Sequence, residues 1–307
     1  MSMELLKPKN DVVFHCLFRK GNEKITKALI SSIIDEEIEE IELDNDRYLL
    51  QSYPEQKIGI LDLNAKLDSG VLCNIEIQLL DEGNIEKRIL YYWSSLYSNQ
   101  LKVGRNYNGM KKTIVILIAD FEIKNLKDIE KVHTKWQIRE EEHYEKVLTE
   151  DLEIHIIMLP KARKQEIKED KLLQWMAFLD NPNKEGVLEM KKKNQDIADA
   201  LWKLEEISED KKLRRIAQLK EKWEIDEISA REYWKENGLE EGRKQGLEEG
   251  REEGLKQGLE QGIEQGIEQG ERKTKIEMAK KMLEDGMDRE TIIKYTGLTE
   301  NEIEELK

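Results

Sequence analysis

Several things are scarce in this chain. Cysteine occurs twice in 307 residues, at Cys16 and Cys73, each inside an apolar pattern. Two such distant positions exclude a disulfide framework and a cysteine-based zinc site. They read as small buried hydrophobes in a reducing compartment. The four histidines, His15, His133, His143 and His155, show none of the spacings of a histidine metal site. No apolar run is long enough to span a bilayer and the N-terminus lacks a signal-peptide pattern, so a soluble cytoplasmic protein without a membrane partner is expected. Aromatic residues are only 6% of the chain. Positive charge is also short: 51 Lys and Arg face 66 Asp and Glu, a net charge of −15. That balance argues against coating nucleic acid through the overall field, and leaves room for a local basic cleft or a metal-bridged contact with phosphates.

What is present is patterned. The length allows one sizeable core plus extra material, or two domains. Pro8 and Asn10/Asp11 precede Val12, Val13, Phe14, Leu17 and Phe18 at helical spacing, and Gly21 closes that helix. Asn22 is placed to cap a second helix, with Ile25, Leu29, Ile30, Ile33 and Ile34 inward. Residues 38–44 suit a short edge strand. From Ile85 to Val103 the period is again helical, ending at Gly104. Residues 113–119, TIVILIA, form a short β-branched run that suits a strand buried on both faces, followed by an edge strand near 132–139 and another strand at 152–159. Helix, hairpin, helix and buried strand make an α/β core with the helix from Ile85 as crossover.

The hairpin carries the chemistry. Residues 57–80 read KIGILDLNAKLDSGVLCNIEIQLL, two alternating runs joined at Asp68-Ser69-Gly70. With those three residues as the loop, Leu67 faces Val71 and Asp62 faces Glu76. A slip of one residue would bury Asp62 and expose Leu79, so the pattern resists it. Asp62, Glu76 and Gln78 then share a face. Opposed carboxylates repel unless something positive lies between them, and a hard divalent cation held by oxygen is the simplest candidate. A solvated sheet face is the plain alternative.

Asp on one strand followed by Glu-x-Gln on the next resembles the PD-(D/E)xK nuclease superfamily, with Gln in place of the usual Lys. The ordered blocks NDVVFHCLF, ILDLNAKLDSGVLCNIEIQ, EKRILYYWSSLYSNQLKVGRNY and TIVILIADFEI narrow this to a resemblance to the Rpn family of recombination-promoting nucleases, over roughly residues 7–125. The resemblance implies an αβββαβ restriction-endonuclease-like core and a metal-dependent endonuclease acting on double-stranded DNA. It implies Asp62, Glu76 and the backbone carbonyl of Ile77 as ligands of Mg²⁺ (or Mn²⁺ or Ca²⁺), with Gln78 at the Lys position. Gln can orient a water through its amide but brings no charge. Arg88, one turn into the following helix, is the candidate cation, and Asp11 a further carboxylate from the first helix. A catalytically degenerate fold serving as an oligomeric DNA- or protein-binding module is the alternative.

Beyond Pro160 the pattern is almost wholly helical. Lys161, Arg163 and Lys164 form a small basic cluster that suits a solvated turn or a phosphate contact. The Asp180–Asn183 break divides a nuclease-like domain, 1–180, from a helical appendage, 184–236. In 237–272 glycine recurs at every fourth residue from Gly238 to Gly270. Each glycine costs a helix about 1 kcal/mol relative to Ala. The segment is therefore either a low-complexity linker or a helix whose bare stripe meets a partner helix closely, which would give a homo-oligomer. Residues 273–307 are a helix-turn-helix-like tail, with Asp288 and Thr299 as caps and Glu302 completing a capping box. Its last helix, TENEIEELK, is acidic, which favours a packing or dimerisation module over a DNA reader.

Overall fold

The computed structural model describes residues 4–43, 63–101, 106–167 and 169–306. Asp62 and the expected helix end at Val103–Gly104 lie outside the described residues. The described residues divide into two units, Met1–Ile228 and Ser229–Lys307.

The first unit is built on a mixed sheet of six strands: β1 (Ile41–Leu43), β2 (Leu63–Leu67), β3 (Leu72–Gln78), β4 (Thr113–Ala119), β5 (His133–Trp136) and β6 (Leu152–Met158), in the order β1-β2-β3-β4-β6-β5. β2 and β3 pair antiparallel with Leu63 opposite Ile75 and Asn64 opposite Asn74, the register set by a three-residue loop. The loop Asp68–Gly70 is a single 3-10 turn, and Gly70 at φ +86° takes a left-handed conformation that a side chain would resist. The Asp68 carboxylate accepts from the amides of Glu39 and Glu40, at 2.8 and 2.5 Å, and so ties the β1 edge to the turn.

β3 and β4 run parallel, joined by helix α3 (Ile85–Ser98) as the crossover, and β6 continues the parallel set beside β4. Alternation sorts the strands into two faces. On one, Cys73, Ile75 and Ile77 of β3 with Ile114, Ile116 and Ile118 of β4 meet helices α1 (Asp11–Phe18) and α2 (Glu23–Ile34). α5 (Lys171–Asp180) and α7 (Gln195–Glu209) extend this core, after the short α4 (Leu159–Ala162) and with α6 (Glu185–Met190) between them. On the other face, Val115, Leu117 and Ala119 with Leu152, Ile154, Ile156 and Met158 meet Ile85 and Ile89 of α3 (Ile85–Ser98). Both faces are covered, so β3 and β4 are buried on both sides. The expected half-buried second strand of the hairpin is a central strand instead.

Local signals explain most boundaries. The Asn10 side chain caps α1, accepting from the amides of Val12 and Val13. Asn22 does not cap α2 through its side chain. Its amide nitrogen donates to the Cys16 carbonyl at the end of α1 instead, locking the turn between the helices. The β5 strand is shorter than 132–139 because only His133 to Trp136 lie against β6.

Helix α8 runs unbroken from Lys211 to Glu284, so the glycine repeat is helical. In the second unit α9 (Arg289–Thr296) and α10 (Glu300–Glu304) follow. Ala279, Ile292, Leu298 and Ile303 form a small core there, with Gly297 left-handed between the last two helices. Thr299 and Glu302 make the expected reciprocal capping box.

Candidate active site

Glu76 and Gln78 lie two residues apart on β3, so both project from the α3 face of the sheet, level with Leu117 and Ala119 of β4. α3 starts seven residues later, and its first turn brings Arg88 back over the strand. The Arg88 Nη2 lies 2.6 Å from Glu76 Oε1, and Gln78 Nε2 donates to the same oxygen at 2.6 Å. Arg88 Nη1 reaches the Gln78 Oε1 at 3.5 Å, so the Gln78 amide is oriented by both neighbours, its nitrogen to the carboxylate and its oxygen to the guanidinium. Glu82 Oε2, in the loop before α3, is 3.7 Å from Arg88 Nη1, and the guanidinium stacks over the Tyr92 ring at 5.6 Å. Glu76 is only 2% exposed, so this is a carboxylate held charged inside the fold by a cation from the next element. Burial pulls the Arg88 proton affinity down, but attraction to Glu76, then Tyr92 and Glu82, leaves it above the ordinary value.

Three of the sequence-derived site residues, Glu76, Gln78 and Arg88, are thus brought together. Ile77 turns its side chain to the opposite core, leaving its backbone carbonyl on the strand. Asp11 begins α1, in the helical layer over that opposite face, where it pairs with Lys220 of α8 at 2.9 Å. Beside it burial, and then Asp11, push the Glu224 carboxyl up to about 7. Among the described residues no group of three or more His, Cys, Asp or Glu side chains converges as a metal cage, and Asp62, the second carboxylate, lies outside them. The donors that are described, a carboxylate, an amide oxygen and backbone carbonyls, are hard oxygens of the kind Mg²⁺ takes, so the set fits such a cation in kind.

A second buried carboxylate was not singled out from the sequence. Glu153 on β6 is 1% exposed and faces the other core. Its Oε1 accepts from His155 Nε2 at 2.7 Å, and its Oε2 takes Lys112 and Lys135, each at 2.9 Å. Burial raises its proton affinity, but these three partners outweigh it and hold the carboxyl well below the usual range. His155 Nδ1 in turn meets His133 Nε2 at 2.8 Å, with the rings stacked 5.0 Å apart. With both rings neutral and the carboxylate accepting, the bonds run from His133 Nε2–H to His155 Nδ1 and from His155 Nε2–H to Glu153. The signal lay in LEIHIIM, where Glu and His stand two apart in an otherwise apolar strand.

The basic cluster after Pro160 is built into the fold. The Lys161 ammonium is buried and donates to the carbonyls of Leu126 and Ile129. Arg163 pairs with Asp120 and Asp180, which Lys9 also binds at 2.9 and 3.0 Å.

The first unit is thus a three-layer α/β fold with Glu-x-Gln on a central strand and a basic residue on the crossover helix. The model of the PD-(D/E)XK nuclease family transposases matches residues 8–233, and the chain belongs to that family. Residues 272–307 match the C-terminal HTH domain of the Rpn/YhgA-like nuclease family, so the tail is similar to that domain. No curated protein and no solved structure matches the chain.

Proposed function

We propose that the protein is a divalent-metal-dependent endonuclease that hydrolyses phosphodiester bonds of double-stranded DNA and thereby promotes recombination. The observation that carries this reading is the convergence of Glu76, Gln78 and Arg88 at the end of β3, in a chain of the PD-(D/E)XK nuclease family. Asp62, Glu76 and the Ile77 carbonyl would hold the cation, which supplies Lewis acidity and a water of lowered pKa. Asp11, in the helical layer over the opposite face of the sheet and paired there with Lys220, is left out of this set. Gln78 orients a water or a phosphate oxygen through its amide. Arg88 supplies the positive charge that Gln78 lacks. Residues 1–180 would carry the reaction and 184–236 the helical appendage, with the 237–272 helix and the 273–307 tail serving self-association and substrate engagement.

The degenerate-fold reading has an observation of its own: Arg88 closes on Glu76, and α10, the second helix of the helix-turn-helix pair, is acidic. Incubation of the full chain with supercoiled plasmid separates the two. Nicking or linearisation with Mg²⁺ or Mn²⁺, its loss in EDTA, and its loss in Asp62→Ala and Glu76→Ala support the enzyme. Equal cutting by those variants, or none with any metal, rejects it.

A further inference from the structure

The same ion pair that completes the site also occupies it. We propose that Arg88 is a built-in counter-ion of Glu76, that the guanidinium and a divalent cation use the Glu76 carboxylate in alternation, and that Glu82 and Tyr92 form the station to which the displaced guanidinium moves. This rests on the proposed function only in taking Glu76 as a cation ligand.

The geometry carries the argument. Arg88 Nη2 lies 2.6 Å from Glu76 Oε1, and Gln78 Nε2 donates to that same oxygen at 2.6 Å, so the carboxylate already carries a cation and a donor. Two cations on one carboxylate repel each other. Within a few ångströms, and with Glu76 2% exposed, water and salt screen that repulsion weakly. Glu76 therefore has to be released, at least in part, before it can ligate a cation. A guanidinium leaving a buried carboxylate needs another anion or it becomes an uncompensated charge. Glu82 provides one: it is 3.7 Å from Nη1, and its side chain is 47% exposed, on the solvent side of the pair. Tyr92, one turn along α3, keeps the guanidinium plane supported from below throughout a short shift. A Lys at position 78 would sit on the strand itself with a single ammonium. Arg88 comes from a different element and has two nitrogens on two different carboxylates, which is what makes a transfer between them possible.

The test measures cation binding without DNA, on the full chain, by calorimetric titration of Mn²⁺ and Ca²⁺ and by the rise in melting temperature they cause. Arg88→Met is expected to bind about tenfold tighter than the parent chain, the ratio that corresponds to about 1.4 kcal/mol, while its DNA cutting falls. Glu82→Gln should bind severalfold more weakly, because the guanidinium loses its second anion. Glu76→Gln should abolish the binding. Unchanged or weaker binding in Arg88→Met, binding that survives Glu76→Gln, or no binding by either the parent or Arg88→Met overturns the inference. If Arg88→Met loses its far-UV helical signal, Arg88→Gln and Glu82→Gln carry the same comparison. A parent that cuts DNA while Arg88→Met keeps parental affinity sinks the counter-ion and spares the nuclease. A parent with the antagonism but without cutting sinks the nuclease and spares the counter-ion.

Discussion

The sheet buries two glutamates, one on each face, and they are treated differently. Glu153 draws two lysines and an imidazole, and the imidazole is itself held by a second one. Its charge is compensated from three directions, and nothing about it is poised to change. Glu76 takes Arg88 and the Gln78 amide on one oxygen, and Arg88 is shared with Glu82. The first arrangement resembles a rivet. In the second the counter-ion is shared with another carboxylate. Burial alone therefore does not tell the two glutamates apart. How their counter-charges are distributed does.

The contrast is most sharply broken at Glu76. Glu76→Gln keeps the shape and removes the charge. DNA cutting should fall by about a hundredfold or more, with a melting temperature near that of the parent. Glu153→Ala should do the reverse. It leaves Lys112 and Lys135 facing each other and His155 without its acceptor, and should cost about 3 kcal/mol in urea unfolding, while cutting per folded molecule is retained. A loss of cutting in Glu153→Ala at unchanged stability would erase the distinction between the two faces.

The next effect lies in the repeat. In the single chain, a Cβ added at Gly246, Gly254 or Gly262 meets nothing within 4 Å. Each Gly→Ala change should then strengthen the helix by about 0.8–1 kcal/mol, read from its thermal melt by circular dichroism. If the bare stripe packs against a second copy, the same changes should lower the mass seen by light scattering. A higher melt with an unchanged mass would remove self-association from the glycine stripe.

The smallest effect is in pH, and Glu224 on α8 and His133 on β5 should pull in opposite directions. The Glu224 carboxyl is raised to about 7, so the folded chain binds its proton more tightly than the unfolded one. Its contribution to stability falls as pH rises from about 4.5 to 7. His133 is lowered to about 4, by burial first and then by His155 and Lys135, so its contribution is lost as pH falls from about 6.5 to 4. Glu224→Gln should therefore raise the melting temperature at pH 8 by about 2 °C and do little at pH 5. His133→Gln should flatten the acid side of the profile.

How much of this was legible depends on range. Alternation in residues 63–67 and 72–78, with a three-residue loop, was enough for the hairpin register, because a one-residue slip would turn every apolar side chain outward. The run TIVILIA announced a strand buried on both faces, and Asn10, Asp288 and Thr299 announced their helix starts by caps that need only neighbouring residues. The Glu-x-Gln pair and Arg88 were readable as a set. That Arg88 lies on Glu76 was not, since it depends on how α3 returns across the sheet. The Glu153–His155–His133 chain stayed hidden for the same reason: Lys112 lies just before β4 and His133 and Lys135 on β5, and no spacing along the chain announces them. Lys161 and Arg163 looked like surface charge, because the carbonyls and carboxylates that take them lie about 17 to 43 residues away.

The repeat shows the limit from the other side. Nine glycines at a period of four left linker and helix both open, since intrinsic propensity weighs against the helix and the intervening Leu, Ile, Glu, Gln, Lys and Arg weigh for it. The structure is helical from Lys211 to Glu284.

Sequence alone determined most of the elements and the strand pairing of the hairpin, because periodicity, turn chemistry and capping act over a few residues. Tertiary structure decided which cation meets which carboxylate. Ion pairing between distant elements is set by how helices and strands pack in three dimensions, and that packing leaves no local mark on the chain.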